Sequence, residues 1–310
     1  MLKNSFLYKI GNKTKLAEYL GITRKELLNL CNDDLYKVRE ELKHNGTGTR
    51  IIEAPAKQLK SIQRKLNKEL QKLETPPYLF SGIKGKSFID NALVHVQNKY
   101  VLCVDIHSFY PSTDDKKVLQ FYKNSLKIPN DIAKILTELT TFNGHLPTGA
   151  PTSVILAFFA YAKTFDDIYM KAQELKIDMS VYVDDVTFSS QNPIPTSFYN
   201  FVEKRMKQQG LILKKKKTKW YKPEDFKIIT GHGISAKSEG KVPIKNILKI
   251  KAIMQGKNIK ELSYQELISL KGALIVAQRI EPGFYNTLFK RVCSLIKNSS
   301  QQKNSFFSPF

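Results

Sequence analysis

Apolar and polar positions repeat with two different periods along this chain, and the changes of period mark its elements. "TKLAEYLGITRKELLNLCND" carries Leu16, Leu20, Leu27, Leu28 and Leu30 at helical spacing, which predicts short helices. Thr23 stands before "RKELL" as an N-cap, because its hydroxyl can accept from the free amides of a first turn. The pattern fits a DNA-binding helix-turn-helix, and it also fits a helical hairpin packed on its neighbour. A polar loop, "HNGTGTR", leads to "RIIEAP" and to a basic amphipathic helix, "KQLKSIQRKLNKELQKL". Residues 100–105, "YVLCVD", read as a buried strand closed by a carboxylate. Residues 152–175 predict a helix rich in Ala, Phe and Leu, 179–190 a strand–turn–strand, and 197–209 another helix. "LILKK" and "FKIITGHGIS" read as further strands. The last 70 residues carry helical patterns broken at "EPG", with "NSSQQKNSFFSPF" expected to be a mobile tail. Strands in the middle and helices at both ends make an α+β core with helical flanks.

Composition narrows the class. With 310 residues and 42% hydrophobic content the chain can bury a core in two or three subdomains. Fifty Lys and Arg against 28 Asp and Glu leave a net charge of +22, spread along the chain. Such an excess either keeps molecules apart by repulsion or holds a polyanion, and its distribution favours nucleic acid. Cys31, Cys103 and Cys293 form neither a zinc pattern nor a disulfide framework, which fits a reducing cytoplasm. The start, "MLKNSFLYKIGNK", lacks a signal-peptide pattern, and no apolar run is long enough to span a membrane.

Charge placement points to chemistry. Asp-Asp occurs at 33–34, in a polar segment; at 114–115, opening a helix where acids suit the dipole; and at 166–167, on a helix face. Asp184–Asp185 differs, because "SVYVDDVTFSS" surrounds it with β-branched and aromatic residues. Aspartate is disfavoured within strands, so the pair belongs in the turn of a tight hairpin, where it could simply be solvated. Asp105 at the end of "YVLCVD" is a third carboxylate beside a buried strand. Three carboxylates converging at strand ends cannot all stay ionised without a cation. Mg²⁺ suits few carboxylates plus phosphate oxygens, and two such ions would activate a hydroxyl and stabilise a leaving pyrophosphate.

These residues resemble the reverse transcriptase family, and the resemblance covers nearly the whole chain. "YVDD" is similar to the family's signature tetrapeptide, and "VDIHSFYPS" to the strand with its first metal-binding aspartate. "LPTGAPTS", 146–153, resembles the LPQGAPTSP segment beneath the incoming nucleotide, "TRIIEAPAKQLKSIQRKL" the fingers motif, and "GLILKKKKT" the segment ending in Lys-Lys-Thr. "NALVH", 91–95, "ITG", 229–231, and "RIEPGFYNTLFKR" resemble bacterial retron reverse transcriptases. Thr148 stands where the family usually has glutamine, Val154 where it has proline, and Val183 where bacterial members have alanine.

The resemblance implies a right-hand polymerase: fingers from 1–98 and 113–150, palm from 99–112 and 151–235, a helical thumb and tail from 236–310. The palm would be a ferredoxin-like antiparallel sheet with a catalytic hairpin. It implies Asp105, Asp184 and Asp185 as catalytic and metal residues, with Ile106 counted in the metal set. Tyr110 would lie under the sugar of the incoming nucleotide, with Phe109 turned into the core because strand neighbours face opposite ways. Arg50 would reach the triphosphate, Gly149 and Ala150 would let backbone approach the nucleotide, and Lys217, or its neighbour Lys216, would meet phosphate. Asn91 and His95, four apart on one helix face, would lie near RNA or primer. Ile229, Thr230 and Gly231, followed by Lys245, Lys249 and Lys251 in "PIKNILKIKAIMQGK", would recognise RNA. His44, His107, His145 and His232 show no ligand spacing and receive no role.

The implied function is reverse transcription of a cognate structured non-coding RNA. Priming from an internal guanosine 2′-OH would give a branched multicopy single-stranded DNA in anti-phage defence. Its partners would be that RNA, deoxynucleoside triphosphates, the DNA product and a separately encoded effector protein. Two alternatives stay open: another bacterial reverse transcriptase, of group II intron or abortive-infection type, and an idle RNA-binding scaffold that holds an effector.

Overall fold

The computed structural model describes residues 4–42, 48–236 and 239–305, without the side chains of 299–305. His44 and most of the "HNGTGTR" loop lie outside the described residues.

Local caps start the chain as its sequence predicts. Asn12 and Thr23 turn side-chain oxygens onto free amides, and Gly21, at φ 69°, closes the first turn region. Two short helices result, α1 (Lys13–Leu20) and α2 (Arg24–Asn29). Leu16, Leu20 and Leu27 sink them into the main core, so they form a packed hairpin. Leu28 is exposed, off the buried face of α2 that Leu27 occupies. An antiparallel ribbon follows, β1 (Tyr36–Leu42) and β2 (Thr49–Pro55), then α3 (Lys57–Leu70). Leu59, Ile62, Leu66 and Leu70 bury one face of α3, as its period requires.

The centre is a four-stranded antiparallel sheet. Its members are β3 (Tyr100–Asp105), β4 (Asp178–Tyr182), β5 (Asp185–Ser190) and β6 (Lys219–Tyr221), in the order β4-β5-β3-β6. Before β3 comes α4 (Phe88–Leu93). Between β3 and β4 lie α5 (Asp115–Gln120), a π-helical turn (Phe121–Ser125), α6 (Asn130–Glu138), α7 (Ser153–Ala160) and α8 (Ala162–Glu174); α9 (Thr196–Gln208) follows β5. The single helix expected over 152–175 is thus two. Tyr161 leaves helical geometry between them and donates its hydroxyl to the Ser112 carbonyl at 2.8 Å.

"LILKK" is not a strand. Leu213 makes an isolated bridge to Ile106, and Lys215–Lys217 then curl into a 3₁₀ turn. The Thr218 amide folds back on the Lys214 and Lys215 carbonyls at 3.1 Å, which an extended run would leave apart. A second sheet, β7 (Lys227–Ile229), β8 (His232–Ile234) and β9 (Gly240–Lys241), follows in that order. The C-terminal helices α10 (Ile244–Met254), α11 (Tyr264–Ile280) and α12 (Asn286–Ser305) have a core of their own, with Ile250, Leu270, Leu274 and Val292 inside. The tail expected to be mobile is helical to Ser305, as an extension of α12, because propagation costs little once a helix exists. The α+β expectation holds. Among the described residues no helix is long and apolar enough to cross a membrane.

Candidate active site

Strand pairing brings the three carboxylates to one end of the central sheet. In β3–β5, Asp105 is the partner of Asp185, and in β4–β5, Tyr182 is the partner of Asp185. Val183 and Asp184 therefore form the two-residue turn of a hairpin. Val183 has φ 58°, which such turns need and which a β-branched side chain resists. The Ile106 amide donates to the Asp184 carbonyl at 2.8 Å and ties the turn to the end of β3. Ile106 has a buried side chain, so only its main-chain carbonyl could serve a cation.

The electrostatics are those of crowded acids beside two lysines. The Lys214 and Lys217 ammonium groups lie 2.5 Å from Asp105 Oδ1 and Oδ2 respectively. Only the Lys217 contact is aligned as a hydrogen bond; Oδ1 is buried and has none. Burial, then the charges of Asp184 and Asp105, pushes the Asp185 carboxyl up to about 7, against the pull of Lys217 and Lys214. Asp184 is raised as well, by burial first and Asp105 second. The bond to Asp105 raises the Lys217 ammonium. This donor set fits a hard divalent cation: oxygen atoms alone, two of the acids held away from their charged form by burial and neighbouring carboxylates, and one buried oxygen without a hydrogen bond. Asp105, Asp184, Asp185 and the Ile106 carbonyl could hold such an ion. In the described residues no three acid, His or Cys side chains already converge on one point, because Asp105 is turned to its lysines.

A cavity of about 360 Å³ opens beside these groups, lined by Asp105, Asp185, Tyr182, Lys217, Thr230 and Gly231 among others. Asp105 and Asp185 thus border one space with Thr230 and Gly231, which the sequence did not reveal. Thr230 is in the left-handed region at φ 46°; its hydroxyl donates to the Phe88 carbonyl at 2.9 Å and meets Asn91 Nδ2 at 3.4 Å. Thr230 is half-buried and Gly231 exposed, whereas Ile229 is buried.

Tyr110 and Phe109 divide as expected, for a different reason. Residues 107–111 form turns rather than a strand, with Ser108 at φ 46°. Phe109 is buried against Tyr161 and Phe165, at 5.8 and 6.4 Å between ring centroids. Tyr110 stays partly open, and its phenol is raised by burial first and then by the charge of Asp184.

Other residues are placed differently from their expected roles. His95 lies beyond the end of α4, fully buried, with Nδ1 2.6 Å from Ser189 Oγ and Nε2 2.7 Å from Ser180 Oγ. Asn91 is buried too. The His95 ring is enclosed by two serines of the central sheet and Asn91 bonds to Thr230, so neither side chain is exposed as a surface for RNA. Gly149, at φ 126°, is required by β2: a Cβ there would stand 3.2 Å from the Glu53 carbonyl oxygen. Ala150 is buried. Arg50 is on β2, with Glu41 opposite it and 3.8 Å away, and does not line the aspartate cavity. Lys245, Lys249 and Lys251 are exposed on α10. Lys214, Glu53 and His145 are partners that spacing alone did not single out. The first was hidden in a lysine run that reads as a solvated face.

Residues 42–241 match the family described as Reverse transcriptase (RNA-dependent DNA polymerase). The chain is 30% identical over 217 residues to the Retron Se72 reverse transcriptase of Salmonella heidelberg (strain 579083-10), covering 67% of this chain and 57% of that protein. It is 30% identical over 227 residues to the Retron Ec86 reverse transcriptase of Escherichia coli, covering 72% and 71%. With the Retron Ec48 reverse transcriptase of Escherichia coli the identity is 24% over 269 residues, covering 80% and 64%. The aligned region is thus a little over half the length of the first of these relatives.

Proposed function

The chain belongs to the reverse transcriptase family, among the retron reverse transcriptases, and on that basis we propose that it is an RNA-directed DNA polymerase. The observation that carries the proposal is that strand pairing puts Asp105, Asp184 and Asp185 at one sheet end, beside a cavity edged by lysines. In the reaction a primer hydroxyl oxygen bonds to the α-phosphorus of a deoxynucleoside triphosphate. The bond from that phosphorus to the β-phosphate oxygen breaks, and pyrophosphate leaves. Two Mg²⁺ ions held by the three aspartates and the Ile106 carbonyl would supply the positive charge that acidifies the hydroxyl and steadies the pyrophosphate. Lys217, paired with Asp105 at 2.5 Å, would meet phosphate as a point charge. Tyr110, partly exposed and feeling the charge of Asp184, would press on the sugar and exclude a ribose 2′-OH. Arg50 would approach the triphosphate from β2.

In this reading 1–98 and 113–150 act as fingers, 99–112 and 151–235 as palm, and 236–310 as thumb. The template is a cognate structured non-coding RNA, primed at an internal guanosine 2′-OH, and the product a branched RNA–DNA molecule serving anti-phage defence in the cytoplasm with a separately encoded effector. Thr230 and Gly231, at the edge of the aspartate cavity, would lie near the priming nucleotide, and Lys245, Lys249 and Lys251 would follow phosphates. Sequencing nucleic acid that copurifies with the protein, together with deoxynucleotide incorporation on that RNA with Mg²⁺, tests the whole. A branched RNA–DNA product is expected. RNA that copurifies unextended, with no incorporation on addition of substrates, would instead establish the scaffold alternative.

A further inference from the structure

The segment 146–153, which resembles the family's segment beneath the incoming nucleotide, is fastened to β2 through one residue. Both main-chain polar groups of Thr148 are taken by Glu53. The Thr148 amide donates to Glu53 Oε2 at 3.0 Å, and the Glu53 amide donates to the Thr148 carbonyl at 2.7 Å. The other carboxylate oxygen, Oε1, lies 3.0 Å from His145 Nε2. The Glu53 side chain is only 11% exposed, a position where an unpaired carboxylate would be costly. Gly149 follows at once, and its lack of a Cβ permits the fit: an added one would meet the Glu53 carbonyl oxygen at 3.2 Å and Ile52 Cγ2 at 3.3 Å. The far end of the segment is pinned separately, where Ser153 Oγ donates to the Pro147 carbonyl at 2.7 Å.

We infer that Glu53 is a positioning residue for nucleotide binding, fixing the peptide of Thr148 and Gly149 in the orientation the nucleotide meets. This rests on the polymerase reading above. A long side chain at 148 could fix itself by its own contacts; threonine is short, so the orientation here depends on the main-chain clamp. Glu53 touches no reacting atom. Its loss leaves the segment to be ordered by the nucleotide, which weakens binding and spares the chemical step once the nucleotide is bound.

The test is steady-state incorporation of a single deoxynucleotide on an RNA template by the full chain, with Glu53→Ala, Glu53→Asp and Glu53→Gln. Glu53→Ala should raise KM about tenfold and change kcat less than about threefold. Glu53→Asp keeps the charge but withdraws the oxygens by one methylene, and should raise KM by about threefold or more. Glu53→Gln keeps an oxygen for the Thr148 amide and should restore KM to near the wild-type value. Should Glu53→Ala fail to fold, as a thermal melt would show, Glu53→Asp against Glu53→Gln carries the comparison. Equal KM across the series, or a loss in kcat alone accompanied by lower thermal stability, overturns the inference while leaving the polymerase reading intact. Absence of incorporation by the wild-type chain overturns both.

Discussion

Asp105 and Asp185 face each other across the β3–β5 pair, so two acids share one face of a sheet at directly opposed positions. Like charges so placed oppose folding. Burial first, then the charges of Asp184 and Asp105, hold the Asp185 carboxyl up to about 7, above its unfolded value.

The first prediction concerns stability. Between the unfolded carboxyl range and about pH 7 the folded chain binds the extra proton, so folding weakens as pH rises through that window. Asp185→Asn removes the group that must ionise. In chelator, thermal melts should show the variant more stable than wild type at pH 8, by on the order of 1–3 kcal/mol, and no gain at pH 4. A gain of equal size at both pH values would refute the repulsion.

The second concerns catalysis. Asp184→Asn or Asp105→Asn should lower primer extension at least about a thousandfold. RNA affinity should stay within a few-fold, because binding rests on the distributed positive charge. Extension by Asp184→Asn within tenfold of wild type would contradict the assignment.

The sugar gate gives the third. Phe109 is enclosed in the core while Tyr110 is partly open, so Tyr110→Ala should shift incorporation toward ribonucleotides. Tyr110→Phe, which keeps the ring, should not. The ratio of deoxy- to ribonucleotide incorporation measures this, and an unmoved ratio assigns discrimination to another residue.

His95 supplies the fourth. Burial holds its imidazole down to about 3, so folding strength is fully present above the ordinary histidine range and declines as pH falls from there toward 3. His95→Ala leaves Ser180 and Ser189 without their shared partner and opens a cavity. Loss of stability should be on the order of 2–4 kcal/mol in denaturant titrations, with RNA affinity of the folded fraction unchanged. A selective loss of RNA binding would restore the surface role.

The acids could be read from the sequence because Asp184 and Asp185 interrupt residues that favour strands, and Asp105 ends an apolar run. Strand alternation predicts the division between a buried Phe109 and a partly open Tyr110, but the turn at Ser108 produces it. His95 could not. Its partners Ser180 and Ser189 are far along the chain, and nothing local distinguishes an imidazole bound for the core from one bound for RNA. The same holds for Glu53, whose meaning depends on Thr148, ninety-five positions away. Lysines 214–217 read plausibly with "LIL" as a strand, yet after one bridge to Ile106 the main-chain bonds within the run close it into a turn. Periodicity reports on burial; it does not report on which distant groups complete a polar cluster.

The central strand β3 also sets an order of events during synthesis. It is bordered by β5 on one side and β6 on the other, so one of its edges stays open until residues 219–221 have left the ribosome. The lysines that neutralise Asp105 emerge only just before them. A nascent chain halted near residue 200 would carry all three acids on a sheet with a bare edge and no counter-charge. Long-range pairing of this kind is slow to form and prone to mispairing while it waits. A catalytic centre built around β3 is therefore completed late in translation, and a prematurely terminated chain cannot acquire it.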